Sequence, residues 1–157
     1  MKTAKAKKKL TKAEMRVAIA EDVLKQLRAG KITLAHVYLR NKQDYRPLTP
    51  LLRNAHDLQE VVDKITKTCK VCQLGACLLS KARLFNKVPI DKLTSYNRES
   101  VFGTEVYEAL SDVFSDSQLN KIENAFEDQR EYSQESDKTA VEATMENIVR
   151  NRGTFKP

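Results

Sequence analysis

Apolar residues return every third or fourth position in one segment after another, and only four glycines and four prolines interrupt the 157 residues. That spacing commits the chain to helices. A protein of many short strands needs turn residues about every ten positions, and here they are too few. Ile19, Ala20, Val23, Leu24 and Leu27 form one helical stripe. Thr11 and Glu14 precede it as a capping box, and Gly30 follows as a left-handed stop. Residues 31–40 lack a helical face and predict one short strand or extended segment. Residues 41–48 predict a loop. Thr49 and Pro50 open a second helix over 50–66 with a Leu51, Ala55, Leu58, Val62, Ile65 seam. On that helix His56 lies away from the seam.

A third helix is expected from Cys72 to Asn86, and a fourth over 104–114 through Val106, Leu110, Val113 and Phe114. Ser115 or Asp116 caps a fifth, which buries Leu119, Ile122 and Phe126. Residues 131–138 read as a mobile linker. Thr139 and Glu142 then make a capping box for a last helix burying Val141, Met145, Ile148 and Val149, which Gly153 ends. The expected fold is mostly α, an irregular or orthogonal bundle of five to six helices with at most one short strand or hairpin. Residues 1–11 read as a disordered basic tail and 12–157 as a single helical domain. No apolar stretch follows the basic opening residues, and no run reaches the about 20 apolar residues of a membrane span. The expectation is a cytoplasmic protein with no membrane contact.

Net charge is +7, unevenly placed. Residues 1–98 carry an excess of cations. Residues 99–157 hold thirteen carboxylates against six cations. Such asymmetry points to an anionic partner for the front or a cationic partner for the back. Lys2, Lys5, Lys7, Lys8, Lys9, Lys12 and Arg16 are the candidate nucleic-acid contacts, an arm that neutralises phosphates without reading sequence. Glu123, Glu127, Asp128 and Glu131 are the candidate protein contacts, carboxylates on a helix surface that suit a basic groove.

The three cysteines, Cys69, Cys72 and Cys77, fall within nine residues. They begin like a zinc knuckle, but the fourth position of that pattern is Ala82. Cys72 and Cys77 on one helix also point about 140° apart, so they cannot grip one ion while the helix is intact. If any metal bound, these three would hold it; the expectation is no metal and no cofactor. A Cys-x-x-Cys at a helix start favours a thiolate, but thiol oxidoreductases place it after a strand, and the residues before Cys69 read as helix. The expected role of the cysteines is core packing. No Gly-rich phosphate loop and no Gly-x-Ser-x-Gly elbow occurs, and the protein reads as a non-enzyme.

The stretch Cys69-Lys-Val-Cys72-Gln-Leu-Gly75-Ala76, with Leu79-Ser80 after it, resembles a segment of small uncharacterised cytosolic proteins of bacteria and their phages. The ending Glu146-Asn-Ile-Val-Arg-Asn-Arg-Gly153-Thr-Phe-Lys-Pro157 is similar to theirs too, as is the opening helix from Arg16. The resemblance implies an accessory protein of phage or mobile-element type and transfers no activity. The leading expectation is binding of another protein through charged helical surface, as an inhibitor for example. The alternatives are a nucleic-acid-associated protein using the Lys-rich arm, and a thiol or zinc protein centred on the cysteines. The sequence assigns no oligomeric state.

Overall fold

Thr11 opens the first helix as a capping box: its hydroxyl accepts from the Glu14 N–H, and the Glu14 carboxylate accepts from the Thr11 N–H at 2.7 Å. The structure, a computed structural model, describes residues 8–38, 40–41, 58–85 and 103–157. The expected tail over residues 1–7, the loop, Thr49, Pro50 and His56 within 42–57, and the polar stretch 86–102 lie outside the described residues. Helix α1 (Lys12–Arg28) ends where Gly30 takes φ +70°. The Gly30 N–H donates to Leu27 and the Lys31 N–H to Gln26, the Schellman arrangement that satisfies the last carbonyls.

Strands β1 (Thr33–Leu34) and β2 (Arg40–Asn41) follow, then α2 (Leu58–Thr68), β3 (Cys69–Val71) and α3 (Gln73–Phe85). The strands form one small sheet in the order β1–β3–β2. Central β3 runs parallel to β1, pairing Leu34 with Val71, and antiparallel to β2, pairing Arg40 with Lys70. Parallel strands need a long crossover, and α2 lies within it. Helices α4 (Gly103–Leu110), α5 (Asp116–Glu127) and α6 (Gln134–Arg150) complete the described chain.

The fold is mostly α. Against an expectation of at most one short strand or hairpin, the sheet has, among the described residues, three strands of two, two and three residues. Two boundaries differ from the sequence reading. The fourth helix stops at Leu110 rather than 114, although Val113 and Phe114 are still buried on the turn beyond it. The last helix begins at Gln134, inside the expected linker. Ser133 is its N-cap and exchanges hydrogen bonds with Ser136, while Thr139 sits within the helix and donates to the Glu135 carbonyl at 3.0 Å. Serine does at the third helical position what Glu or Gln does in the usual capping box.

Helix α3 is the axis of the core. Every residue from Gln73 to Ala82 is buried, as expected of a helix without a solvent face. It packs against α1, α2, α4 and α5, and α1 lies along α6. Lys81 lies on α3 at 1% exposure, and its ammonium donates to the Ala109 carbonyl and the Asp112 carboxylate. A buried ammonium is tolerated only with such partners, and this one ties α3 to the end of α4.

The two ends of the described chain are bound together. Arg16 on α1 donates to the Gly153 carbonyl at 2.6 Å and the Val113 carbonyl at 2.8 Å. After α6, Gln118 and Asn147 each use both ends of an amide on the backbone of Phe155 and Lys156, respectively. These bonds seat the buried Phe155 ring. Among the described residues no helix is long and apolar enough to cross a membrane.

Candidate binding cleft and the polar seam of α5

Asn120, Glu123 and Glu127 stand at helical spacing on α5, so one polar row runs down that helix. Side chains from α4 and from the segment between β1 and β2 meet it. Tyr107 of α4 donates to Glu123 Oε2 at 2.5 Å and lies 2.9 Å from Asn120 Oδ1. Tyr38, from the segment between β1 and β2, donates to the other Glu123 oxygen. Burial holds both phenols protonated, and the hydrogen bonds to Glu123 and its charge push the same way, so both pKa values rise well above the ordinary tyrosine range.

An open cleft of about 640 Å³ lies over this pair, lined by Tyr38, Tyr107, Glu108, Ser111, Asp116, Asn120 and Glu123. Three of these are carboxylates and none is a cation. A second hollow, of about 560 Å³, lies by α1, α2 and α3 and has mixed charge, with Lys31, Lys67 and Arg83 beside Asp63. There Arg83 is committed to Asp22 at 2.5 Å and to Thr66 at 3.2 Å.

One turn along α5 from Glu123, His36 lies between two carboxylates. Its Nδ1 is 3.0 Å from Glu127 Oε2, and its Nε2 is 3.0 Å from Asp137 Oδ1 on α6. The ring stacks on Phe126 with centroids 4.5 Å apart and meets Tyr132 at 4.2 Å. Gln129 donates to the same Asp137 oxygen at 3.1 Å. Burial of the ring opposes its protonation. The hydrogen bonds to Glu127 and Asp137 and their charges outweigh that penalty, and the His36 pKa is raised.

The cysteines occupy a different environment. Cys69 lies in β3, Cys72 at the junction of β3 and α3, and Cys77 within α3, all buried and unlinked by disulfides. The residues before Cys69 are helix α2, as expected, and the Cys-x-x-Cys spans β3 instead of following a strand. Nor are the thiols poised for redox chemistry. Burial pushes the Cys72 thiol up to about 12 against the lowering effect of the Gly75 and Leu74 N–H groups. Cys77 is pushed up to about 12 by burial as well. Nucleophilic thiol chemistry needs the thiolate. In native protein at pH 8 the three thiols should therefore react with a chromogenic disulfide reagent only as fast as the protein opens, and fully in denaturant. One equivalent reacting at the rate of a free thiol would contradict this. Among the described residues no group of three or more His, Cys, Asp and Glu side chains is arranged to hold a metal ion.

The candidate contacts separate into two kinds. Lys8, Lys9 and Lys12 are exposed, and Lys8 approaches Glu14 at 3.5 Å. Lys2, Lys5 and Lys7 lie outside the described residues. Arg16 does not continue this solvated row, because its guanidinium is committed to two backbone carbonyls of the fold. Asp128 and Glu131 are exposed, Asp128 as the C-cap of α5. Glu123 and Glu127 are not free solvated charges: the first holds two tyrosines and the second a histidine. Sequence reasoning did not bring Tyr38, Tyr107, His36 and Asp137 together. The signal available was the spacing of Asn120, Glu123 and Glu127, a second polar row on an amphipathic helix. Comparison with known proteins finds no matching family, no matching curated protein and no matching solved structure.

Proposed function

We propose that this is a non-catalytic accessory protein that binds a partner protein by taking a basic side chain into the acidic cleft between α4 and α5. The observation that carries the reading is the cleft wall itself, with Glu108, Asp116 and Glu123 and no lining cation among the described residues. Tyr38 and Tyr107 add aromatic surface, on which an ammonium or guanidinium group gains about 0.5–2 kcal/mol. Their hydrogen bonds keep Glu123 in place, so the site is ordered before a ligand arrives, and less entropy is lost on binding. The reading extends to a cytoplasmic protein of bacterial or phage type, the class that the cysteine segment and the C-terminal stretch resemble.

The test is binding of a fluorescently labelled Lys/Arg-rich peptide, read by anisotropy. Exposed charge pairs contribute about 0.2–1 kcal/mol each, so Glu108→Gln and Asp116→Asn should each weaken binding by up to about 5-fold. Added salt should weaken it further, and deleting residues 1–11 should leave it intact. Equal affinity in the wild type and the double variant would refute the cleft as the site. A pull-down from the native host with both proteins as bait then identifies the partner. A second reading rests on exposed Lys8, Lys9 and Lys12: duplex binding that is steep in salt and is lost with residues 1–12 would mark the arm as a phosphate-binding element.

A further inference from the structure

We propose that His36 is a proton-operated clamp that joins the segment between β1 and β2 to α5 and the start of α6. The inference goes beyond the binding reading and stands whether or not the cleft takes a partner. It rests on donor arithmetic. Each ring nitrogen of His36 lies 3.0 Å from a carboxylate oxygen, Glu127 on one side and Asp137 on the other. A carboxylate only accepts, and a neutral imidazole has one N–H to give. Two such bonds require the imidazolium.

The surroundings are arranged for that cation. Glu127 comes from α5 and Asp137 from α6, and theirs are the charges that act on the ring. Tyr132, from the connection between those helices, packs on the ring and donates its hydroxyl proton to the Glu127 carbonyl at 2.6 Å. Phe126 covers the ring by stacking. Asp137 lies in the first turn of α6, where the free N–H groups favour a negative charge.

The two bonds are not equivalent. The Asp137 side chain is 4% exposed and that of Glu127 41%. When His36 gives a proton to solvent, the Nδ1–H facing Glu127 is the one lost, because solvent can serve Glu127 in its place. Asp137 is closed off from solvent, with Gln129 as its other side-chain donor, and keeps the Nε2–H. Deprotonation therefore opens the hydrogen bond to α5 and leaves Asp137 on α6 as the ring's carboxylate partner, with Phe126 still stacked on it. The sign follows. A histidine pKa raised by folding contributes stability that is whole below the unfolded value of about 6.5 and is lost as pH rises through the folded value.

Titration of the histidine ring protons by NMR in the full chain tests this, with His36→Gln to assign the signal against His56. His36 should titrate above the ordinary histidine value, and Asp137→Asn and Glu127→Gln should each lower its midpoint. Ring nitrogen shifts at high pH should report the Nε2–H tautomer. A midpoint at or below the ordinary value, or one unmoved by both substitutions, overturns the clamp. A second measurement covers the case in which a carboxylate variant fails to fold. The difference in melting temperature between wild type and His36→Gln should be largest near pH 5.5 and shrink towards pH 9. A difference constant across that range would make His36 a packing residue only and overturn the clamp.

Discussion

Gly75→Ala is expected to cost more than about 4 kcal/mol, beyond the ordinary range of single substitutions, and to leave little folded protein. A Cβ built on Gly75 would lie 1.8 Å from the Tyr38 carbonyl oxygen and 3.0 Å from Val71 Cβ. The first obstacle is backbone and cannot rotate away. It is also fixed from both directions, since Ala35 donates to the Val71 carbonyl at 2.9 Å and Cys72 to the Val37 carbonyl at 2.6 Å. Room for one methyl group requires the 35–38 segment to leave α3, and that removes the pairing of β1 with β3. His36 and Tyr38 would leave α5 together. Denaturant unfolding, or the soluble yield where unfolding cannot be followed, measures the effect. A loss within about 1 kcal/mol, an ordinary substitution effect, would show that this segment rides loosely over the helix.

Phe126→Ala should lose about 3–5 kcal/mol, the range for removing a buried aromatic side chain. Phe126 is 1% exposed, at the last turn of α5, and its ring lies against His36 with the planes inclined by 21°. Its removal leaves a cavity under the imidazole and frees the ring to tilt away from Asp137. Tyr132→Ala is the control. That ring also touches His36, yet the residue is 61% exposed, so its loss should cost about 0.5–1.5 kcal/mol, the scale of one aromatic contact. Equal losses for the two variants would mean that ring contact rather than burial sets the stability of this corner.

Both substitutions act on features that a linear reading reaches unequally. Gly75 stands out in the sequence as a glycine within a helical run, which suggests close packing, but nothing local says that a carbonyl from Tyr38 is what approaches. Phe126 was legible as core because it completes a stripe with Leu119 and Ile122. Asp137 was not. A buried carboxylate breaks the apolar pattern of a helix start, and with Ser133 and Ser136 beside it the segment resembles a solvated linker. Its partner His36 is 101 residues away in the chain, and that partner with Gln129 makes its burial tolerable. The three-residue strand β3 was hidden for a similar reason. Cys69–Val71 is too short to show alternation, and it becomes a strand because β1 and β2 supply its hydrogen bonds.

What the amino-acid order alone determined is therefore the local part. It set the helical class, the Thr11 capping box, the Gly30 stop and the stripes that fill the core. Backbone capping and the 3.6-residue repeat are short-range effects, complete within a few neighbours. Folding in three dimensions decided the rest: which carboxylates stay solvated, which thiols are silenced by burial, and where histidine, tyrosine and acid meet. Those outcomes depend on desolvation and on charges brought together from distant segments, and neither exists until the helices pack.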